Sequence, residues 1–206
     1  QLDVGIDFVS DGEMSKISYA TYIKDRIDGF SGESERRAPA DLDDFPEYKE
    51  KIAKSGGTPT YTRPCCTNEL KVKDETSLLQ DINNFKNSLD KLNHRHAFMN
   101  SASPGVINVF MPNKFYSTED EYLDKLSNIM AKEYELITKS DIQVQLDCPD
   151  LALARHMNFK NLSEDEFIKR AELQIECLNS ALSNVDVEQT RMHICWGNYE
   201  GPHTHD

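Results

Sequence analysis

No stretch of this chain approaches the roughly 18 consecutive apolar residues that a membrane-spanning helix needs, so a transmembrane protein is not expected. Basic residues are scarce: 23 Lys and Arg against 36 Asp and Glu leave a formal net charge of −13. Nucleic acids and anionic membrane surfaces are held by clustered Lys and Arg, so neither is an expected partner. A small anionic ligand stays open, because a local pocket can depart from the global balance. The cysteines also lack a pattern. Five of them, at 65, 66, 148, 177 and 195, include no C-x-x-C pair. An odd number without spacing is a poor disulfide framework and points to a reducing compartment. Residues Gln1 to Ser10 show no basic head followed by an apolar run, the mark of a secretory leader. A cytoplasmic location is the expectation. Internal repeats and low-complexity tracts are missing as well.

What is present is a chain of 206 residues, 38% hydrophobic and 29% charged, long enough for one sizeable core. Ile6 to Ser10 reads as a short buried strand that runs into the turn Asp11-Gly12-Glu13. Residues 31–60 are polar and rich in Gly, Pro, Glu and Asp, and read as an excursion or lid. A weak strand follows around Tyr61 to Cys66. Ser77 to Leu92 is amphipathic, with Leu78, Ile82, Phe85, Leu89 and Leu92 on one face and Ser77 with Gln80 as a capping box. Ala97 to Asn100 is a short apolar run before the turn Ser101 to Gly105. A helix spans about Thr118 to Lys139, capped by Ser117. Its stripe is Tyr122, Leu123, Leu126, Ile129, Met130, Tyr134 and Ile137. Ile142 to Leu146 alternates as a strand does and ends at Asp147. Ser163 to Leu182 is a third helix, with Ser163 and Glu166 as a capping box and a stripe of Phe167, Ile168, Ala171, Ile175, Leu178 and Leu182. Arg191 to Trp196 reads as a last strand. Strands alternating with helices imply an α/β fold with a parallel sheet. Periodicity alone does not separate a barrel from a doubly wound sheet. Glu13, Asp147, His193 and Cys195 fall at the C-terminal ends of strands, where barrels carry their chemistry, although open α/β sheets share that habit.

His193-Ile194-Cys195 is the sharpest chemical signal. Residues i and i+2 of a strand point the same way, and zinc takes a nitrogen–thiolate mixture. The competing reading is a buried cysteine beside an incidental histidine. His203 and His205 are metal-capable too, but lie in a loop and read as solvated. Glu13 and Asp147 are candidates for gripping a substrate amine; the competing reading is surface or capping carboxylates. Cys65, Cys66 and Cys177 read as packing residues, and Cys148 is ambiguous.

The run Met192-His193-Ile194-Cys195-Trp196-Gly197-Asn198-Tyr199-Glu200-Gly201-Pro202-His203 resembles the zinc segment of the cobalamin-independent methionine synthase family. The likeness is to its shorter single-barrel members, which include epoxyalkane–coenzyme M transferases. Gly5 to Glu13 is similar to the family's early strand and glutamate turn, Ser103-Pro104-Gly105 to a loop of the shorter members, and Gln145 to Ala152 to its aspartate segment. The resemblance implies a (β/α)8 barrel of the methionine synthase/uroporphyrinogen decarboxylase-like type, of which residues 1–206 are a single, incomplete domain. It implies zinc held by His193 and Cys195 with further ligands beyond Asp206, and Glu13 and Asp147 on the amine of homocysteine. The implied reaction is methyl transfer from 5-methyltetrahydrofolate to homocysteine, giving methionine. Small-molecule thiol and methyl donor are then the partners. Addition of a thiol to an epoxide and a non-catalytic scaffold are the alternatives.

Overall fold

The computed structural model describes residues 1–34, 38–55, 63–93, 96–197 and 201–204. Strand β1 (Phe8–Ser10) opens the fold, and helix α1 (Ile23–Arg26) runs directly into β2 (Ile27–Ser31). A 3-10 turn (Ala40–Asp43) and helix α2 (Pro46–Ser55) follow. Then come β3 (Cys65–Val72), α3 (Thr76–Leu89), β4 (His96–Ala102), α4 (Pro104–Phe110) and α5 (Glu119–Thr138). The last elements are β5 (Gln143–Asp147), α6 (Leu153–His156), α7 (Glu164–Ala181) and β6 (Thr190–His193).

Four strands form one parallel sheet in the order β1-β4-β5-β6. The chain is therefore mixed α/β with a parallel sheet, as the alternation of elements predicts. Among the described residues the sheet does not close, and β1 and β6 are its outer strands. The register sorts the side chains into two faces. Val9, Ala97, Met99, Val144 and Leu146 fall on one face and belong to the core with Leu78, Ile82, Phe85, Leu126, Met130 and Tyr134 of α3 and α5. The other face carries Phe98, Asn100, Gln145, Asp147, Arg191 and His193. A sheet with one apolar face on helices and one polar face leaves the polar face for a ligand. No described helix is long and apolar enough to cross a membrane.

The structure departs from the sequence reading in several places. Strand β2 pairs antiparallel with β3 in a separate two-stranded sheet, with a register shift between Asp28 and Phe30. The shift sits at Gly29, whose φ of 108° and backbone neighbours at 2.9 Å from a notional Cβ admit only glycine. A glycine-centred bulge weakens the strand pattern, so β2 is not anticipated. The expected strand near Tyr61 starts at Cys65 and runs to Val72; residues 61–62 lie outside the described ones. In place of the expected turn at Ser101 to Gly105, β4 runs on to Ala102 and α4 begins at Pro104: Ser103 caps the helix by accepting from Val106 N–H, and Pro104 takes its first position. The cap of α5 is Thr118, one residue after Ser117. Leu92, Ile168 and Ile175 are exposed, contrary to their assignment to buried stripes; Gln174, Cys177, Leu178 and Ala181 form the buried face of α7. The excursion at 31–60 is not wholly outside the core, because Asp41 and Leu42 are buried. Asp41 accepts from the Thr204 N–H and hydroxyl, which ties that turn to the loop after β6.

Candidate functional site

Each candidate side chain is delivered by a strand end or by the turn after it. Asp147 and His193 are the last residues of β5 and β6 and are paired in register. Cys195 lies two residues past β6, where its carbonyl accepts from Leu153 N–H at 3.1 Å. The strand expected through Trp196 thus ends at His193. Glu13 lies three residues past β1 with a φ of 57°, a left-handed conformation that costs energy in a non-glycine residue. Gly12 before it also has positive φ (66°), and Asp11 accepts the Glu13 N–H at 3.2 Å. The chain thus turns sharply at that point.

Glu13, Asp147, His193 and Cys195 line one cavity of about 210 Å³, together with Tyr19, Asn100, Pro149, Leu153 and Gly197. A larger cavity of about 640 Å³ lies between residues 1–15 and α3, but none of the candidate residues lines it. The smaller one is the candidate site because it gathers the titratable groups.

Asp147 is 4% exposed and well held. It accepts from Asn100 Nδ2 at 3.0 Å and from Gln145 Nε2 at 3.1 Å. His193 Nδ1 faces its carboxylate at 3.7 Å, beyond hydrogen-bond reach. Burial, and then the charge of Asp147, push the Glu13 carboxyl above its ordinary value, while Lys16 and His193 act in the opposite direction. Two carboxylates facing one small cavity repel each other, and a cation between them would relieve both.

The other cysteines stand apart. Cys148 is fully buried, its thiol donates to the Leu146 carbonyl, and burial pushes it far above the ordinary thiol range. Cys66 is pushed up to about 11 by burial. Cys65, Cys66 and Cys177 are core residues. His203 packs near Gly197, and His205 lies outside the described residues. Among the described residues no group of three His, Cys, Asp or Glu is placed to hold a metal. His193 and Cys195 offer a fitting nitrogen and sulfur, two of the roughly three protein ligands a catalytic zinc takes.

Sequence reasoning missed Asn100, Tyr19 and Leu153. Asn100 had a signal: it is a polar residue closing an apolar run, at the same strand-end rim as the rest. Tyr19 and Leu153 come from irregular or very short segments and carry none.

No protein-family profile matches the chain, and no curated protein matches it. Its backbone follows that of a solved methionine synthase. The B12-independent methionine synthase of Shewanella sp. W3-18-1, in complex with selenomethionine, superposes with a TM-score of 0.65 at 18% identity. The match covers 96% of this chain and 48% of that one, so the chain spans about half the length of that structure. At this identity the likeness speaks for the fold.

Proposed function

We propose that this chain is part of a methionine synthase-type S-methyltransferase with a (β/α)8 barrel, which transfers a methyl group from 5-methyltetrahydrofolate polyglutamate to homocysteine. The observation that carries this reading is the meeting of Glu13, Asp147, His193 and Cys195 on one cavity, in a chain whose fold is similar to that of such an enzyme. At about 210 Å³, the cavity is below the about 300–1,000 Å³ of sites for drug-sized ligands. It suits a small amino-thiol, with the larger methyl donor approaching from outside.

In this reading Glu13 and Asp147 take the substrate ammonium group, and Asn100 and Gln145 keep Asp147 oriented before the substrate arrives. An acidic pair repels a sulfonate, which disfavours a coenzyme M-type thiol. His193 and Cys195 would hold zinc, at one rim of the same cavity. Zinc, when bound, supplies a Lewis acid that lowers the pKa of a coordinated thiol toward neutrality. Pro149 and Leu153 give the cavity an apolar wall that limits water near the sulfur.

Cobalt(II), which reports sulfur ligation by its colour, gives one titration that tests both halves. The protein is expected to show a thiolate-to-cobalt band that Cys195→Ser loses. L-Homocysteine should intensify it at lower concentration than 2-mercaptoethanol does, and Glu13→Gln should erase that preference by about ten- to hundredfold, the worth of one hydrogen bond to a charged group. A band that survives Cys195→Ser, or equal response to both thiols in the unaltered protein, sinks the reading.

A further inference from the structure

Lys16 has none of the roles assigned above, yet its charge bears on Glu13 more than that of His193. Its backbone N–H closes the turn by donating to the Glu13 carbonyl at 2.9 Å. Its half-buried side chain then reaches back to β4 and the start of α1. There Nζ donates to the main-chain carbonyl of Asn100 and lies 4.6 Å from the centre of the Tyr22 ring. No carboxylate lies within 4.0 Å of this ammonium among the described ion pairs. Burial pulls its pKa down, and Glu133 opposes that from α5.

The cation next to it, Arg26, is already committed. Arg26 is clamped between Glu133 at 2.9 Å and Asp81 at 2.6 Å. Glu133 is 6% exposed and also accepts from Tyr22 Oη at 2.5 Å and Ser101 Oγ at 2.7 Å. That cluster satisfies itself. Lys16 stands between it and the cavity, with Asp11 and Glu13 on its own turn. An ammonium drawn back from solvent onto a carbonyl and a ring, with no carboxylate in contact, is costly, and packing alone would be served by an apolar side chain.

We propose that Lys16 is a positioning residue for the Glu13–Asp147 pair. It reaches Asp147 through Asn100: the lysine holds the Asn100 main chain, and the Asn100 side chain donates to the Asp147 carboxylate. It reaches Glu13 through space, as a positive charge three residues along the same turn that offsets the repulsion from Asp147. One lysine thereby orients one carboxylate and keeps the other available, so that both face a cationic ligand. The inference rests on the amine-binding reading of these two residues.

The test needs no metal. L-Methionine and its deaminated analogue, the same molecule with hydrogen in place of the amine, are titrated into the protein by calorimetry. Lys16→Met keeps the length and removes the charge. It should weaken L-methionine about tenfold, as misalignment of one hydrogen bond to a charged carboxylate does, and leave the analogue within about twofold. The Asn100 side-chain amide resonance should shift in the same variant without any ligand, and Lys16→Arg should recover most of the binding. Equal weakening of both ligands, an unmoved Asn100 resonance, or failure of both variants to fold would overturn the proposal in favour of a purely structural lysine. If unaltered protein binds neither ligand while the Asn100 resonance still moves, the substrate reading falls and the positioning role stands.

Discussion

Burial lifts the Asp150 carboxyl from an ordinary 3.8 to about 6, although Ser103 Oγ donates to it at 2.8 Å. The residue is 2% exposed and packs so close to Gly105 that a Cβ there would stand 2.0 Å from its Oδ2. A folded-state pKa above the unfolded value means that the native chain holds a proton the unfolded chain has already lost. The associated stability is full below about pH 4, falls as pH rises toward 6, and is absent at pH 7. Two units correspond to about 3 kcal/mol. Asp150→Asn keeps the oxygen that accepts from Ser103 and removes the charge. It should raise the melting temperature at pH 7 and flatten the dependence between pH 4 and 6. A slope equal to that of the unaltered protein would show that another group titrates in that window. At this scale the sequence is legible only in part. The H-x-C spacing and the strand-end carboxylates mark four residues that do line one cavity. The left-handed backbone of Glu13 and the inward path of Lys16 leave no trace in composition or period, because both depend on what the turn packs against.

At the scale of elements, hydrophobic period was a better guide than capping chemistry. The stripes of α3 and α5 are buried almost as spaced, because both helices press on the sheet. Helix α7 packs against α4 and α5, and its outer residues Ile168 and Ile175 meet solvent. Two segments carried the same capping-box signal. In α7 the box forms: Ser163 Oγ accepts from Glu166 N–H and the Glu166 carboxylate accepts from Ser163 N–H. In α3 the N-cap is Glu75, Asp74 accepts from Thr76 N–H at 2.8 Å, and Ser77 lies inside the helix. An acidic residue upstream competes for the start, and a four-residue pattern does not arbitrate between them. Ser163→Ala should therefore cost about 1 kcal/mol in chemical denaturation, while Ser77→Ala should stay within about 0.5 kcal/mol. Equal losses would mean that the two helix starts are stabilised alike.

At the scale of the whole molecule, the four-stranded parallel sheet has its apolar face on helices and its polar face toward the candidate cavity, with the β2–β3 pair apart from it, and that division is legible in the strands. A parallel strand buried on both faces reads as an unbroken apolar run. Gln143-Val144-Gln145-Leu146-Asp147 alternates instead, its polar members on the face with Asn100 and His193. What the sequence does not reveal is where the sheet stops, since edge and interior strands of this length share the same residues. Among the described residues nothing pairs with the outer side of β6. Met192 is paired in register with buried Leu146 but is itself 49% exposed, and Ile194 (57%) and Trp196 (38%) extend the apolar strip. An edge of unpaired backbone groups beside apolar side chains is a template for association. A charge at this edge opposes such pairing, as lysines on natural edge strands do. Met192 lies on the sheet face opposite His193, so Met192→Lys alters the edge without entering the cavity. In sedimentation velocity these 206 residues taken by themselves should associate as their concentration rises, against the repulsion of their net charge of −13, and more strongly at high salt as that repulsion is screened; within a closed barrel the same edge would pair with the next strand instead. Met192→Lys should shift the equilibrium toward the monomer and leave the cobalt band of His193 and Cys195 unchanged. If both proteins sediment alike at every concentration, β6 is not the surface through which copies meet.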